Sequence, residues 1–265
     1  MSVNYTSEEG IVTITLDRPE RMNALGPTAM VALRDALLRF DAEPTARVGI
    51  ITGAGKRAFC AGADIYETLP EKPFAPGFFD REINSDHPLY IRNISFLRLN
   101  ISKPLIAAVN GVAVGGGMEI ALNCDMCICA STATFGLTEV RIGSIPAIAG
   151  IQRLMHSLPR AAAMKFLLTG EIIDAAKALN LGIVSELVPP DQLMDRARQI
   201  AALIVANAPL SVKAVKYLAD KAHNVSLHEA AALEELLWGH LYTSRDRIEG
   251  RKAFVEKRPP VFTGQ

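Results

Sequence analysis

Two hydrophobic periodicities run along the chain. IVTITLD (11–17) sets Val12, Ile14 and Leu16 against threonines, the period-two pattern of a half-buried strand. Pro27 then stands at a helix start, and Met30, Leu33, Leu37 and Phe40 recur at helical spacing. VGIIT (48–52), LIAAV (105–109) and MCICA (126–130) are continuous apolar runs, the pattern of strands covered on both faces. In the last third, Leu193, Ala197, Ile200 and Ile204 mark one helix. Ser226 and Glu229 form a capping-box pattern opening another, whose buried face is predicted to carry Ala230, Leu233, Leu237 and Leu241. The pattern predicts an α/β core over residues 1–195 and a helical region over 196–265. The long stretch between Asp64 and Pro104, rich in proline and aromatics, has the character of a functional wall or lid.

Composition narrows the classes. In 265 residues, 28 Lys plus Arg balance 28 Asp plus Glu, so the charge gives no sign of a nucleic-acid or membrane-surface partner. The N-terminus lacks a secretory pattern, FTGQ is neither an ER-retention nor a peroxisomal ending, and Asn110 and Glu119 interrupt the most apolar stretches. A cytoplasmic protein is expected. Cys124 and Cys127 have CxxC spacing, but no second pair or nearby histidine completes a ligand set, and NCDMCICAS reads as a helix end running into a buried strand. HEAAA, from His228, has Ala232 where a zinc-protease motif needs its second histidine, so no metal site is expected.

Two glycine clusters carry the candidate chemistry. Gly53-Ala-Gly55 follows a strand and approaches a dinucleotide fingerprint, and Tyr217-x-x-x-Lys221 imitates a dehydrogenase pair. Yet FCAGADI brings another glycine turn where a helix should begin. The second cluster, VNGVAVGGGMEIAL (109–122), reads as a strand, a tight turn, and a helix from Gly116 or Gly117. Unpaired amides at such a helix start suit a developing oxyanion. Glu119 is then either a glutamate favoured by the helix dipole or a group reaching into the same pocket.

RPERMNAL, GAGKRAFCAGADI, KPLIAAVNGVAVGGGMEIALNCDMCI, ATFGLTEVRIGSIP, LTGEIIDAAKALNLGIVSELVP and EGRKAFVEKR occur in the order found in the crotonase superfamily. The whole chain resembles an enoyl-CoA hydratase. The resemblance implies an α/β fold, a spiral of ββα units with a C-terminal helical oligomerisation region, assembled as a homotrimer or homohexamer. It implies oxyanion-hole amides at Ala63 and Gly116, and two carboxylates, Glu119 to position and deprotonate water and Glu139 to protonate C2. Relatives that isomerise or hydrolyse often lack one of these, so the pair points to hydration; isomerisation, or dehydration of a 3-hydroxyacyl-CoA, is the alternative. An RNA-binding role, found in some relatives, is disfavoured by the charge balance. No cofactor is implied, since coenzyme A enters as part of the substrate.

The same resemblance places the coenzyme A channel at Arg21, Met22, Ala24, Ala61, Gly62, Asp64, Ile65 and Gly115, with Trp238, Phe254 and Lys257 approaching partly across a subunit boundary. Arg21 is a phosphate contact or a solvated loop cation; Trp238 and Phe254 contact coenzyme A or simply pack. Where relatives usually read IPGAGGTQRL, this chain has IPAIAGIQRL (145–154). Ala147, Ile148, Ala149 and Ile151 are expected to make that loop bulkier beside the acyl group. Phe74, Phe78, Phe79 and Tyr90 are expected to shape the acyl pocket, with a preferred substrate other than crotonyl-CoA.

Overall fold

The computed structural model describes residues 2–69, 90–222 and 224–265. Its strands are β1 (Val3–Glu8), β2 (Ile11–Leu16), β3 (Val48–Gly53), β4 (Ala58–Cys60), β5 (Leu105–Val109), β6 (Val112–Val114), β7 (Met126–Ala130), β8 (Thr134–Gly136), β9 (Ile173–Asp174) and β10 (Glu186–Val188). The helices are α1 (Pro27–Ala42), α2 (Ile65–Thr68), α3 (Phe96–Leu99), α4 (Gly116–Asn123), α5 (Gly150–Ser157), α6 (Arg160–Thr169), α7 (Ala175–Asn180), α8 (Leu193–Val205), α9 (Pro209–Ala222), α10 (Leu227–Leu241) and α11 (Arg245–Glu256).

The strands form two sheets, ordered β1-β2-β3-β5-β7-β10 and β4-β6-β8-β9. Apart from the β1–β2 and β8–β9 pairs, the pairing is parallel. Successive strands step from the large sheet to the small one, β3 to β4, β5 to β6 and β7 to β8, before a helix returns the chain. This is the expected spiral of ββα units.

The continuous apolar runs are explained by two covers. Ile51, Leu105, Ala107, Val109, Cys127 and Cys129 face the main core with Met30, Leu33, Leu37 and Phe40 of α1. The alternate residues Val48, Ile50, Ile106, Ala108 and Ile128 face Leu193, Ala197 and Ala201 of α8. Each fully buried Val, Leu, Ile, Met or Phe side chain among these contributes about 1.5–3 kcal/mol relative to leaving it exposed. The four cysteines are free, and Cys127 and Cys129 pack as small core hydrophobes.

The C-terminal helices are less covered. Ser226 and Glu229 do form the capping box of α10. Its stripe of Ala230, Leu233, Leu237 and Leu241 is only half-buried, and α10 has no buried residue, correcting the expectation of a buried face. The physical reason is that α9 is the main neighbour this chain offers it. Among the described residues, no single helix is long and apolar enough to cross a membrane.

Candidate active site

The AGAD segment is held by its neighbour in RPERMNAL. Met22 and Asn23 take left-handed backbone angles (φ 54° and 55°), turning residues 22–25 alongside residues 61–64. Ala61 N donates to Met22 O (3.0 Å), Leu25 N to Gly62 O (2.8 Å) and Asp64 N to Leu25 O (3.0 Å). The parallel bridge between Leu25 and Ala63 is made by Gly62 O and Asp64 N, which leaves the Ala63 N–H out of this pairing. Buried Asn23 ties the turn down through Ala54 O and Ala58 O (3.0 and 2.8 Å). Arg18 reaches Ala24 O at 3.1 Å, Glu67 at 2.7 Å and buried Asp64 at 3.3 Å, with Asp64 also capping α2 through Tyr66 N.

The glycine triplet approaches from the other side. β6 ends at Val114 and α4 begins at Gly116, as the sequence indicates. A Cβ on Gly117 would lie 2.0 Å from Cys60 O, so only glycine lets α4 press its first turn against the 60–63 backbone. A Cβ on Gly116 would lie 3.9 Å from Ala63 N, which puts the two segments side by side. Neither the Ala63 nor the Gly116 amide donates to an acceptor among the described residues. Two neighbouring N–H groups, one at a helix start, suit an oxyanion.

Two carboxyl groups flank these amides and differ sharply. Glu119 is 1% exposed, and its carboxylate leaves α4 for the 147–150 loop rather than serving as a dipole-favoured group at the helix end. Oε1 accepts from Ile148 N (2.8 Å) and Gly150 N (2.9 Å), and Oε2 from Ala147 N (3.2 Å). Burial pushes its pKa above the ordinary carboxylate range, while the three amide bonds pull it back. Glu139 heads a 3-10 turn over Glu139–Ile142, and its Oε1 would be 3.6 Å from a Cβ on Gly115. Its Oε2 is buried without a hydrogen-bond partner among the described residues. Burial first, and the Glu119 charge as well, push Glu139 up to about 7. One carboxylate is held as an acceptor; the other keeps a proton near neutrality.

The structure gathers Arg21, Met22, Ala24, Ala61, Gly62, Asp64, Ile65 and Gly115 around this crossing; the Arg21 guanidinium lies 5.3 Å from the ring centre of Tyr66. Trp238, Phe254 and Lys257 are not brought into it. Trp238 meets Tyr242 and Arg247, Phe254 is 85% exposed, and Lys257 caps α11. Phe74, Phe78 and Phe79 lie outside the described residues, as does the Tyr90 side chain.

The loop departure needs correcting. Ile148 does not face outward beside the acyl group: its side chain is buried in the main core, and Ala147, though exposed, bonds Glu119 through its amide. The Gly53-x-Gly55 turn leads into β4 rather than a helix, against a dinucleotide site. Arg18, Asn23, Glu67, Asn123 and the loop amides were not singled out by sequence. Arg18 and Asn23 sit inside a quoted motif, but nothing in their spacing announces their bonds.

The sequence profile of the enoyl-CoA hydratase/isomerase family matches residues 6–265. The chain is 41% identical over 264 residues to (E)-benzylidenesuccinyl-CoA hydratase of Thauera aromatica, covering 100% of both. It is 37% identical to carnitinyl-CoA dehydratase of Escherichia coli, covering 100% of this chain and 99% of that one. The crystal structure of an enoyl-CoA hydratase from Bacillus anthracis superposes with a TM-score of 0.90 at 32% identity, with both chains fully covered. The chain belongs to the enoyl-CoA hydratase/isomerase family.

Proposed function

We propose that this protein is a hydro-lyase that adds water reversibly across the 2,3-double bond of an enoyl-CoA thioester. The observation that carries the reading is the pair of unlike carboxyl groups beside two unbonded amides. The thioester oxygen takes the Ala63 and Gly116 N–H bonds. Water attacks C3 as Glu119 accepts its proton, the π pair shifts to make an enolate, and Glu139 gives its proton to C2. Product leaves with Glu119 protonated and Glu139 ionised, and proton exchange with solvent restores both. Dehydration is the same path reversed. Coenzyme A belongs to the substrate, and no separate cofactor is invoked.

The channel residues around Arg21–Ala24 and Ala61–Ile65 are proposed to carry the pantetheine and adenine. The similarity to hydratases and dehydratases of larger acyl groups supports an acyl portion bulkier than crotonyl. A panel of linear, branched and aryl enoyl-CoA thioesters, followed by loss of the conjugated thioester absorbance, tests the activity. Absence of turnover across the panel would contradict it.

The pH dependence follows from Glu139. Hydration needs this group protonated, so kcat/KM for hydration should fall as pH rises through about 7. Dehydration starts from the form with the same proton moved to Glu119. Because hydration exchanges no net proton, its equilibrium constant is independent of pH, so kcat/KM for dehydration should fall over the same interval. Measuring both directions checks this; a kcat/KM that stays level through about pH 7 in both would remove Glu139 from the proton transfer.

A homotrimer or homohexamer is proposed through the C-terminal helices. Leu227, Leu236 and Trp238 on α10 stand exposed in the single chain, with Phe254 and Val255 on α11. In that assembly Trp238, Phe254 and Lys257 can approach a neighbour's coenzyme A. Sedimentation giving a stable monomer at micromolar concentration would defeat both statements.

A further inference from the structure

Asn123 stands one helical turn beyond Glu119 on the same face of α4, and it is buried. Its Nδ2 donates both protons, to Glu119 O at 2.9 Å and to Ile148 O at 2.7 Å. Its Oδ1 accepts from Arg153 Nε of α5 at 3.3 Å. The orientation of this amide is not interchangeable, because two carbonyls require donors on one side and a guanidinium requires an acceptor on the other. Residue 148 is therefore fastened to α4 twice, by its N–H to the Glu119 carboxylate and by its C=O to Asn123. Ala149 adopts φ 75°, a left-handed turn that lets Ile148 N and Gly150 N meet the same Oε1.

We propose that Asn123, oriented by Arg153, is a positioning residue that aims the amides of the 147–150 loop at Glu119. It touches no substrate; it fixes where the Glu119 carboxylate sits and how strongly it is held as an anion. This rests on the reading of Glu119 as the group that activates water. The titratable group facing Glu119 across the site is Glu139, from the 3-10 turn after β8. On the opposite side Asn123 links α4 to the Arg153 guanidinium of α5. Amide bonds favour the ionised carboxylate. Loosening them raises the pKa of Glu119 and moves the acid limb of the hydration profile to higher pH.

The experiment compares Asn123→Ala and Arg153→Met with wild type in the full-length protein. Asn123→Ala should lower kcat roughly 10- to 100-fold with KM little changed, as small misplacements of a reacting group do. Its acid limb of kcat/KM should shift upward, and Arg153→Met should shift it the same way by less. A merely structural role would lower the melting temperature and leave the limb of the folded fraction in place; that result overturns the proposal. So does wild-type kcat and limb in both variants. If Asn123→Ala does not fold, Arg153→Met decides by the same limb. Retained turnover in Glu119→Gln would instead defeat the reading on which the proposal rests.

Discussion

Glu119→Gln and Glu139→Gln are each expected to lower kcat about 100- to 10,000-fold, the range for losing a positioned general base or acid. Binding of a saturated acyl-CoA, measured by calorimetry, should be nearly unchanged, because the amide keeps the shape of the carboxyl. The two variants should differ in stability. At position 119 the glutamine oxygen can still accept from Ile148 and Gly150, but its NH2 then confronts the Ala147 N–H, now 3.2 Å from Oε2. A buried donor facing a donor costs about 1–3 kcal/mol. At position 139, Oε2 has no hydrogen-bond partner among the described residues, so the substitution should be close to neutral for stability. Near-wild-type turnover in either variant would remove that residue from the chemistry.

Gly62→Ala should cut kcat about 100- to 1,000-fold without touching a carboxylate, the loss typical when one oxyanion donor is displaced. Gly62 has φ 85°, a conformation L side chains rarely adopt. Its Cβ would fall 2.9 Å from Gly116 N and 3.0 Å from Val114 O. Both neighbours are backbone, so the methyl must push the Ala63 and α4 segments apart, and the two amides lose their shared focus. Strain and overpacking together should also destabilise the fold by about 1–3 kcal/mol. Turnover and the chemical denaturation midpoint read the two effects separately. A variant that is destabilised yet turns over at the wild-type rate would mean these amides do not bind the developing charge.

Much of this was legible because local patterns coincide with tertiary roles. The alternation in β2 and the helical spacing of Met30, Leu33, Leu37 and Phe40 specify faces, and those faces are buried. The glycine triplet announced a strand-turn-helix passage, and α4 starts where expected. The partners of the carboxylates were hidden for a different reason. Glu119 is held by backbone amides of residues 28 to 31 positions later, and amides have no side-chain signature. Ile148 looked like a bulky departure because sequence does not show which way a loop side chain turns; it points into the core. The apolar stripe on α10 is legible as a stripe, but sequence does not say whether its cover comes from the same chain.

The central claim is addition of water by a divided pair of carboxyl groups to an oxyanion-stabilised thioester. Its most direct test is turnover of a 2-enoyl-CoA in deuterium oxide, with the product examined by NMR and mass spectrometry. The account requires a 3-hydroxyacyl-CoA carrying one deuterium at C2, on the same face as the new C3 oxygen, because both groups act from one side. A product whose double bond has only moved, or a hydroxyacyl-CoA with deuterium and oxygen on opposite faces, would contradict it.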